Sequence, residues 1–280
     1  MNIQYHDDKI SNAIIYGCLS HVEINIDYPN YINPIFLGNA CSFGDLNLNE
    51  LAPNWVQYHD LLGGTAGTFA LKNYILSIKN NHEFVGICQY RKFLSFEKIG
   101  VTAENYQVMD IISSKALTKE ILYQSMIPEV IRPLFCQPGQ FLHNGKNYSY
   151  LYQYKDVHHL QDLLRFTAML IEYGVLDKDE AYYFLTEEVF MAGGIELGIF
   201  PIDFWLSNII KLEMIVSECI SFYPKKRDKY QIRAWAFCME RIGSYLLLKE
   251  FRKYPEWINK YCGYLNLVNF DQSKSYTPGI

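Results

Sequence analysis

The chain has 280 residues, 50% of them hydrophobic, which is enough to bury the core of one α/β domain, so we expect residues 1–280 to form a single domain. Its formal charge of −5 and pI near 5.8 disfavour a general nucleic-acid-binding role, because such proteins carry a basic face that neutralises phosphates. The seven cysteines are widely spaced without a CxxC pair, which is typical of reduced, buried thiols in a cytosolic protein.

Two stretches of sequence bear on the location of the protein. The first residues have neither the basic start nor the apolar run of a signal peptide, which predicts a cytoplasmic protein. The most apolar stretch, 192–212, contains Glu196, Pro201 and Asp203, so it fails as an uninterrupted membrane-spanning helix of about 20 residues. We predict a buried helix-turn-helix there, and a peripheral contact with the inner face of the cytoplasmic membrane stays open.

The first part of the chain, 1–125, is rich in predicted strands. Apolar runs of strand-forming residues predict strands at 12–19, 34–38, 84–88 and 107–113. A long loop is predicted after the second strand, up to about Pro53, and a Gly-Gly turn precedes helical spacing over 65–79.

The later part, 150–265, is rich in predicted helices. Apolar residues recur at helical spacing over 152–173 and again over 230–251. This order predicts an α/β fold in which a central sheet is closed off by a helical C-terminal portion.

A polar run, Gln89-Tyr90-Arg91-Lys92, follows the strand predicted at 84–88. Ligands of open α/β sheets gather outside the carboxyl ends of strands, so this run is the first candidate for a binding site. Arg91 could bind an anion or serve as an ion-pair partner, and Tyr90 could stack on a ligand or lie in the core. Alternation along a strand predicts that Lys92 faces away from Arg91.

The usual nucleotide and hydrolase motifs are missing from the sequence. It contains no GxGxxG, GxxxxGK[ST], GxSxG or HExxH, which removes the sequence support for the corresponding enzyme classes. The Gly-rich stretch 62–67 could hold a phosphate at a helix start, or simply form the turn that enters the helix.

Two short patterns suggest a metal site, and each has a simpler interpretation. His159 and Asp162 could share a helix face, but adjacent histidines point about 100° apart on a helix, so we interpret His158 and His159 as surface or core residues. The triplet at 177–179 spells DxD, with which many glycosyltransferases hold a divalent ion. We interpret Asp177 and Asp179 as part of a solvated helix N-terminus, with metal binding as the weaker alternative.

Several segments, taken in order, resemble a bacterial family of unknown function from capsular and exopolysaccharide gene clusters, whose members look like glycosyltransferases. Six motifs of this family have counterparts here in the same order. The first three are the E-L-T turn at 63–65, the W-K-N helix at 71–73 and the G-L-x-H-Y-R-R strand end at 86–92. The other three are the D-I-I strand at 110–112, the Y-x-Q-Y-x-x-x-H-H-x-x-D-L helix at 152–163 and the Y-Q-x-R-x-x-x-x-x-x-E-R helix at 230–241. The chain departs from this pattern at Gly63, where the family has Glu, at Gln89, where it has His, and at Phe69 and Leu71, which replace tryptophans.

The resemblance implies a GT-A-like glycosyltransferase that moves a hexose from a nucleotide sugar, such as a UDP-hexose, onto a glycan acceptor of the cell surface. A metal-free site in which fixed cations stabilise the departing diphosphate is preferred, and Mn²⁺ or Mg²⁺ stays open. The residues assigned to donor binding are Thr65, Gln89, Tyr90, Arg91, Lys92 and Arg233. The candidates for catalysis are Asp110, His158, His159 and Asp162.

Two other functions stay open at this stage. The changes at Gly63 and Gln89 favour a catalytically inactive descendant that binds a glycan or a protein. A glycosyltransferase that modifies protein targets is the third possibility. Glu240 and Arg241 of the last motif are expected to form an internal ion-pair element that holds their helix to the sheet, although Arg241 could also supply a cation to the site.

Overall fold

The described part of the chain is built around a nine-stranded sheet, with a small three-stranded sheet beside it. The computed structural model describes residues 10–78, 82–104, 106–127, 130–143, 145–223 and 230–270. The strands are β1 (Ile14–Ser20), β2 (Ile32–Phe36), β3 (Phe84–Gln89), β4 (Lys92–Ser95), β5 (Val101–Ala103), β6 (Tyr106–Ser113), β7 (Phe135–Cys136), β8 (Pro138–His143), β9 (Lys146–Tyr148), β10 (Val189–Met191), β11 (Gly198–Pro201) and β12 (Cys262–Asn269).

The large sheet has the order β2-β1-β3-β4-β12-β6-β5, with β11 also paired to β3 and β7 to β12. Strands β1, β2, β3, β6, β7 and β12 run in one direction, whereas β4, β5 and β11 run in the other. The small sheet is antiparallel, with the order β10-β8-β9. The large sheet is therefore mainly parallel, and β1, β2 and β3 end at the same edge.

Helices cover the sheet and make up most of the chain after residue 149. They are α1 (Leu48–Leu51), α2 (His59–Leu62), α3 (Gly64–Ser77), α4 (Lys119–Met126), α5 (Tyr150–Val157), α6 (Leu160–Glu172), α7 (Lys178–Thr186), α8 (Ile202–Phe222), α9 (Ala234–Lys253) and α10 (Trp257–Tyr261). Short 3-10 helices lie at Gly38–Phe43, Pro53–Tyr58, Ser114–Ala116, Gly194–Glu196 and Gln231–Arg233.

The core lies on both faces of the sheet. Every residue of β1 is buried, and alternate side chains point to opposite faces. Ile15 and Leu19 pack in the cluster that includes buried residues of α3, α8 and α9, whereas Ile14 and Tyr16 pack in the second cluster. A strand covered on both faces reads as a continuous apolar run, which is why β1 could be predicted.

The predicted α/β class is confirmed, together with strands in all four predicted positions and the helix after the Gly-Gly turn. Two details of these elements differ from the predictions. The predicted loop before Pro53 contains a 3-10 helix and α1. The predicted helix 152–173 is two helices, α5 and α6, because His158 and His159 have extended backbones between them.

The predicted helix-turn-helix at 192–212 is wrong. The segment contains a 3-10 helix, then β11 antiparallel to β3, and only then α8, which starts after Pro201. Short apolar runs fit a buried strand as well as a buried helix, and this one is a strand. No helix of the described residues has the length and apolar character needed to cross a membrane.

Two residues of the L-K-N segment tie α3 to its neighbours. Lys72 forms an ion pair with Glu213 of α8, and the same carboxylate accepts a hydrogen bond from the Trp55 indole at 2.6 Å. Asn73 donates to the carbonyl oxygen of Leu51 at 2.8 Å. These side chains therefore hold the helices together. None of the seven cysteines forms a disulfide in the described chain, and five of them are buried.

Candidate functional site

Polar residues from four parts of the chain meet at the carboxyl ends of β1, β2 and β3. Leu37, after β2, donates to the carbonyl of Ser20 at 2.8 Å, and Tyr90, after β3, donates to that of Leu19 at 3.0 Å. These bonds fix the three strand ends next to each other, where open α/β sheets bind ligands. We call the group around them the strand-end cluster, which consists of His21, His59, Gly63, Gly64, Gln89 and Arg233.

Two histidines form one side of the strand-end cluster. His21 directly follows β1, and its Nδ1 lies 2.9 Å from Nε2 of His59, so the two rings share a hydrogen bond. Gly38 makes room for this pair, because a Cβ there would lie 2.7 Å from Cε1 of His59. The backbone of Gly38 has a φ of +58°, which also favours glycine.

The environment keeps both imidazoles neutral near pH 7. Burial, then His59 and Arg233, lower the pKa of His21 from 6.5 to about 4. Burial is also the main cause that lowers the pKa of His59; Asp60 acts in the opposite direction and Arg233 lowers it further. Each neutral imidazole has one N–H, and one of the two is used in the hydrogen bond between the rings, so the pair has one N–H left that could bind an anion.

Arg233 and the N-terminus of α3 form the other side. A Cβ on Gly63 would lie 3.9 Å from Cζ of Arg233, and a Cβ on Gly64 would lie 3.4 Å from Nε2 of Gln89. Gly63 precedes α3 with φ 53° and ψ −122°, and no side chain caps the helix. The first turn of α3 also lacks acidic residues, so no carboxylate of its own offsets the positive end of the helix dipole beside Arg233 and Gln89.

This arrangement is suited to an anion such as a diphosphate. Helix N-termini bind phosphates through their N–H groups, and a guanidinium adds charge-assisted hydrogen bonds. Within the described ranges, Arg233 has no carboxylate partner, so its charge is available. The Gly-rich stretch at 62–67 is therefore a helix-entry turn, and it also presents the N–H groups that a phosphate would use.

A buried carboxyl group, Glu196, lies beneath the first turn of α3. Burial raises its pKa to about 7, against the opposite effect of hydrogen bonds from Thr65 and Thr68 and with a smaller contribution from Glu240. Its Oε1 is enclosed and has no hydrogen-bond partner among the described residues. Thr65, assigned to donor binding from the sequence, thus lies at the helix N-terminus beside a carboxyl group whose pKa burial raises to about 7.

Four of the predicted donor-binding residues form the turn between β3 and β4 and its two flanking positions at this edge: Gln89, Tyr90, Arg91 and Lys92. The chain reverses at Tyr90 and Arg91, because Gln89 of β3 pairs with Lys92 of β4. The expectation that Lys92 faces away from Arg91 assumed that both residues lie in one continuous strand. The turn between β3 and β4 shows that this assumption was wrong. The Arg91 guanidinium lies 5.5 Å from the ring centroid of Tyr90, and the Arg91 carbonyl accepts a hydrogen bond from Val268 of β12.

The predicted catalytic residues lie in two other places. Asp110 is a buried residue of β6, where it accepts a hydrogen bond from Thr102 at 2.9 Å and lies 3.8 Å from the ammonium of Lys98. Its second oxygen, Oδ2, has no hydrogen-bond partner among the described residues. Asp110 is therefore held in the β5–β6 hairpin, and no contact joins it to the strand-end cluster in the described residues.

His158 and His159 lie between α5 and α6, and Asp162 lies in the first turn of α6. The His158 ring stacks on Phe237 with centroids 4.1 Å apart, and its Nδ1 lies 3.3 Å from Oε1 of Gln231. Burial, then Arg241, lower the pKa of His158 to about 4. His159 is exposed and Asp162 is fully buried in α6. Because Gln231 is two residues before Arg233, His158 borders the helix that carries Arg233.

The remaining polar motifs have structural contacts. Asp177 caps α7 in a capping box with Glu180, so the predicted helix N-terminus at 177–179 is confirmed. Glu240 accepts a hydrogen bond from the backbone of Gly193 at 3.1 Å. Arg241 is buried, donates to Gln153 and to the Phe237 carbonyl, and lies over the Tyr154 ring. In the described chain no three His, Cys, Asp or Glu side chains are placed to hold a metal ion.

No protein-family model and no curated protein sequence matches the chain. Its structure is similar to that of WbbM, a bifunctional glycosyltransferase solved in its apo form, with a TM-score of 0.69 and 13% sequence identity. The similarity covers 96% of this chain and 48% of WbbM. The chain shares the fold of the part of WbbM that it covers. It spans about half the length of WbbM.

Sequence reasoning found part of this site and missed part of it. It selected Thr65, Gln89 and Arg233, which meet at the strand ends, although Arg233 is 144 residues from Gln89 in the chain. It missed His21, whose only signal is its place directly after an apolar strand. It also missed His59 and Glu196, because nothing in their neighbouring sequence marks them as partners of distant residues.

Proposed function

We propose that the protein is a nucleotide-sugar-dependent glycosyltransferase and that the strand-end cluster binds the diphosphate of its donor. The observation that carries this proposal is the position of the Arg233 guanidinium, which has no carboxylate partner among the described residues, against the uncapped N-terminus of α3. Support for the reaction class comes from the similarity of the fold to WbbM. The ordered motifs that resemble the capsular and exopolysaccharide family support the same class.

The transfer reaction requires that the negative charge on the departing diphosphate be stabilised. The strand-end cluster has the positive potential that this requires. An acceptor hydroxyl attacks the anomeric carbon, the bond from that carbon to the diphosphate oxygen breaks, and the electron pair leaves with the diphosphate. Preorganised donors stabilise such a leaving group strongly. Arg233, the N–H groups of α3 and the neutral imidazoles of His21 and His59 would act here without a metal ion, while Arg91 and Lys92 would supply further cations at the same edge.

The proton of the acceptor hydroxyl must go to a base. Glu196 joins Asp110, His158, His159 and Asp162 as a candidate, since a base works best with a pKa near the working pH and Glu196 has a pKa of about 7. We expect Glu196→Gln to lower kcat by about 100-fold or more while UDP affinity stays within twofold of the wild type.

The finer assignments follow from the sequence resemblance. We infer a UDP-hexose donor, a surface polysaccharide or oligosaccharide acceptor, and a cytoplasmic bacterial enzyme that could contact the inner membrane peripherally. Divalent metal is not required in this scheme, and a dependence on Mn²⁺ or Mg²⁺ would revive Asp177 and Asp179 as ligands.

The test is calorimetric titration with UDP, UDP-galactose and UDP-glucose, each with and without Mn²⁺. We expect binding that Arg233→Ala weakens by about 10- to 100-fold, the range for a lost charge-assisted hydrogen bond. Arg132→Ala is the matched control, because Arg132 lies over the Phe96 ring and its loss changes the net charge equally. Equal weakening by both variants, or no binding of any of the three nucleotides, would contradict the proposal.

An inactive descendant is the second candidate, favoured by Gly63 and Gln89 at positions where the resembling family has Glu and His. This candidate predicts nucleotide or glycan binding without release of UDP from a UDP-sugar. Measuring UDP release in the presence and absence of acceptor oligosaccharides distinguishes the two functions.

A further inference from the structure

A groove separate from the strand-end cluster lies between the small sheet and the helices. Its volume is about 1180 Å³, and its walls are β8, β9 and β10, one face of α5 and the C-terminal half of α9. Pockets for single small molecules have volumes of about 300–1,000 Å³. The groove is therefore large enough for a ligand made of several units.

Aromatic side chains form much of the groove's surface. Phe141 of β8 and Phe190 of β10 lie side by side, with ring centroids 4.7 Å apart, and Tyr148 and Phe251 also line it. Both Phe141 and Phe190 pack on the buried Tyr150 ring, which holds their orientation. Fixed ring faces of this kind can pack against the C–H faces of sugar rings, since aromatic rings offer apolar area at little cost in conformational entropy.

Polar groups with fixed orientations interrupt the aromatic surface. Arg241 donates to Oε1 of Gln153, so the amide nitrogen of Gln153 is left to donate elsewhere. The Asp156 carboxylate lies close to the Tyr148 hydroxyl. Gln140 is exposed on β8 at the groove. Amide and carboxylate groups beside aromatic rings form the combination of apolar area and directed hydrogen bonds that recognises a ligand rich in hydroxyl groups.

The charges of the groove disfavour a nucleotide. Its ionisable side chains include Glu104, Asp156 and Arg252, and Arg252 is already paired with Glu187. No cation of the described lining is thus left unpaired, whereas two carboxylates would repel a diphosphate. A neutral ligand fits this balance.

We propose that this groove binds a neutral oligosaccharide, which is the glycan acceptor of the transfer reaction. The inference rests on the proposed function for the role of the ligand, but the chemistry of the groove alone supports the ligand class. One helix connects the two sites, because α9 begins directly after Arg233 and forms a groove wall further on.

The arrangement of α9 suits an acceptor of several sugars. Gln231, two residues before Arg233, donates to the carbonyl of Val157, which lines the groove. This end of the groove is the one bonded to the start of α9, whereas Leu248 lies about 22 Å further along the helix. A chain of sugars could therefore extend from the reacting end near Gln231 to the aromatic surface.

The experiment is saturation-transfer NMR on the full chain with galactotetraose, maltotetraose and mannotetraose, each with and without saturating UDP. We expect saturation transfer to at least one of them. Asp156→Ala and Gln140→Ala, both at exposed positions, should each weaken its affinity by about tenfold, the effect of one good hydrogen bond. The control is Glu188→Ala, an exposed neighbour outside the groove lining, which should leave the affinity within twofold.

The outcomes separate this inference from the proposed function. Absence of saturation transfer from all three tetrasaccharides, or binding that the groove variants do not change, overturns the groove assignment even if UDP binds. Tetrasaccharide binding that the groove variants weaken, together with no binding of UDP or UDP-sugars, overturns the transferase function and leaves a glycan-binding groove. Urea unfolding of each variant shows whether a lost affinity reflects a lost fold.

Discussion

The guanidinium of Arg233 lies against Gly63, with its Cζ 3.9 Å from the position that a Cβ would take. In the family that the sequence resembles, the position of Gly63 carries a glutamate and Arg233 belongs to the last helix motif. A glutamate there would have a guanidinium beside it. Here glycine takes that position, so no carboxylate from residue 63 lies beside the cation, and this one substitution changes the charge of the strand-end cluster.

Gly63→Ala should destabilise the protein by about 1–3 kcal/mol, the cost of forcing a residue with a Cβ into a sparsely populated backbone conformation. Gly63 has φ 53° and ψ −122°, a combination that glycine adopts freely. Urea unfolding measures the effect. Gly64→Ala is the matched control, because Gly64 is already helical and its Cβ would make an ordinary contact with Gln89 at 3.4 Å. An equal loss in both variants would refute the backbone explanation.

Diphosphate binding should become tighter as the pH falls from 7 towards 5.5. His21 has a pKa of about 4 in the free protein, and a nearby anion raises the pKa of a histidine because it favours the charged form. Binding would therefore take up protons in this range. Titrating UDP calorimetrically in two buffers with different ionisation enthalpies measures the uptake, and we expect His21→Asn to reduce it. The exposed His159→Asn serves as control, and proton uptake unchanged in His21→Asn would contradict the assignment.

The stability of the protein should fall as the pH drops from about 6.5 to 4, with His158 as one cause. Its folded pKa of about 4 lies below the ordinary value of 6.5, so the unfolded chain binds more protons in this window and is favoured as the pH falls. His158→Phe keeps the stacking on Phe237 and removes the titration. We expect the urea midpoint of this variant to change less between pH 6.5 and 4 than that of the wild type, and a slope unchanged from the wild type would exclude His158.

Lys72→Met should cost about 3–5 kcal/mol of unfolding free energy, the usual effect of leaving a buried carboxylate without its partner. Lys72 and Glu213 are both largely buried, at 10% and 16% side-chain exposure. The double variant Lys72→Met/Glu213→Leu should recover part of the loss, although the Trp55 indole then loses its acceptor. Chemical unfolding of both variants checks this. A double variant less stable than Lys72→Met would show that the ion pair is not the source of the loss.

The local sequence was sufficient to predict a helix or strand when its pattern of apolar and turn-forming residues reflects the burial of its own side chains. The apolar run of β1 and the Gly-Gly entry to α3 are examples. It failed at β11, where four apolar residues between turns read equally well as helix. It also did not predict β12, which begins at the end of the part expected to be rich in helices, 150–265, and pairs with partners from the first half of the chain.

The candidate site could be predicted only where the topology of the sheet alone places its residues together. Parallel strands place their carboxyl ends together, which is why Gln89 was found from its position after β3. The pairing of His21 with His59, and of Glu196 with Thr65, depends on how distant loops pack. Neither contact has a periodic signal in the sequence.

Strand β12 lies between β4 and β6, and these two are not joined to each other directly in the described sheet. The half of the sheet that carries β6 and β5 is thus attached to the half that carries β1 and β3 through residues 262–269. Such pairings across much of the chain slow folding, because a long loop must close before they form. A nascent chain whose β12 has not yet left the ribosome would expose the edges of β4 and β6. Chaperone binding during synthesis should therefore be strongest at this stage.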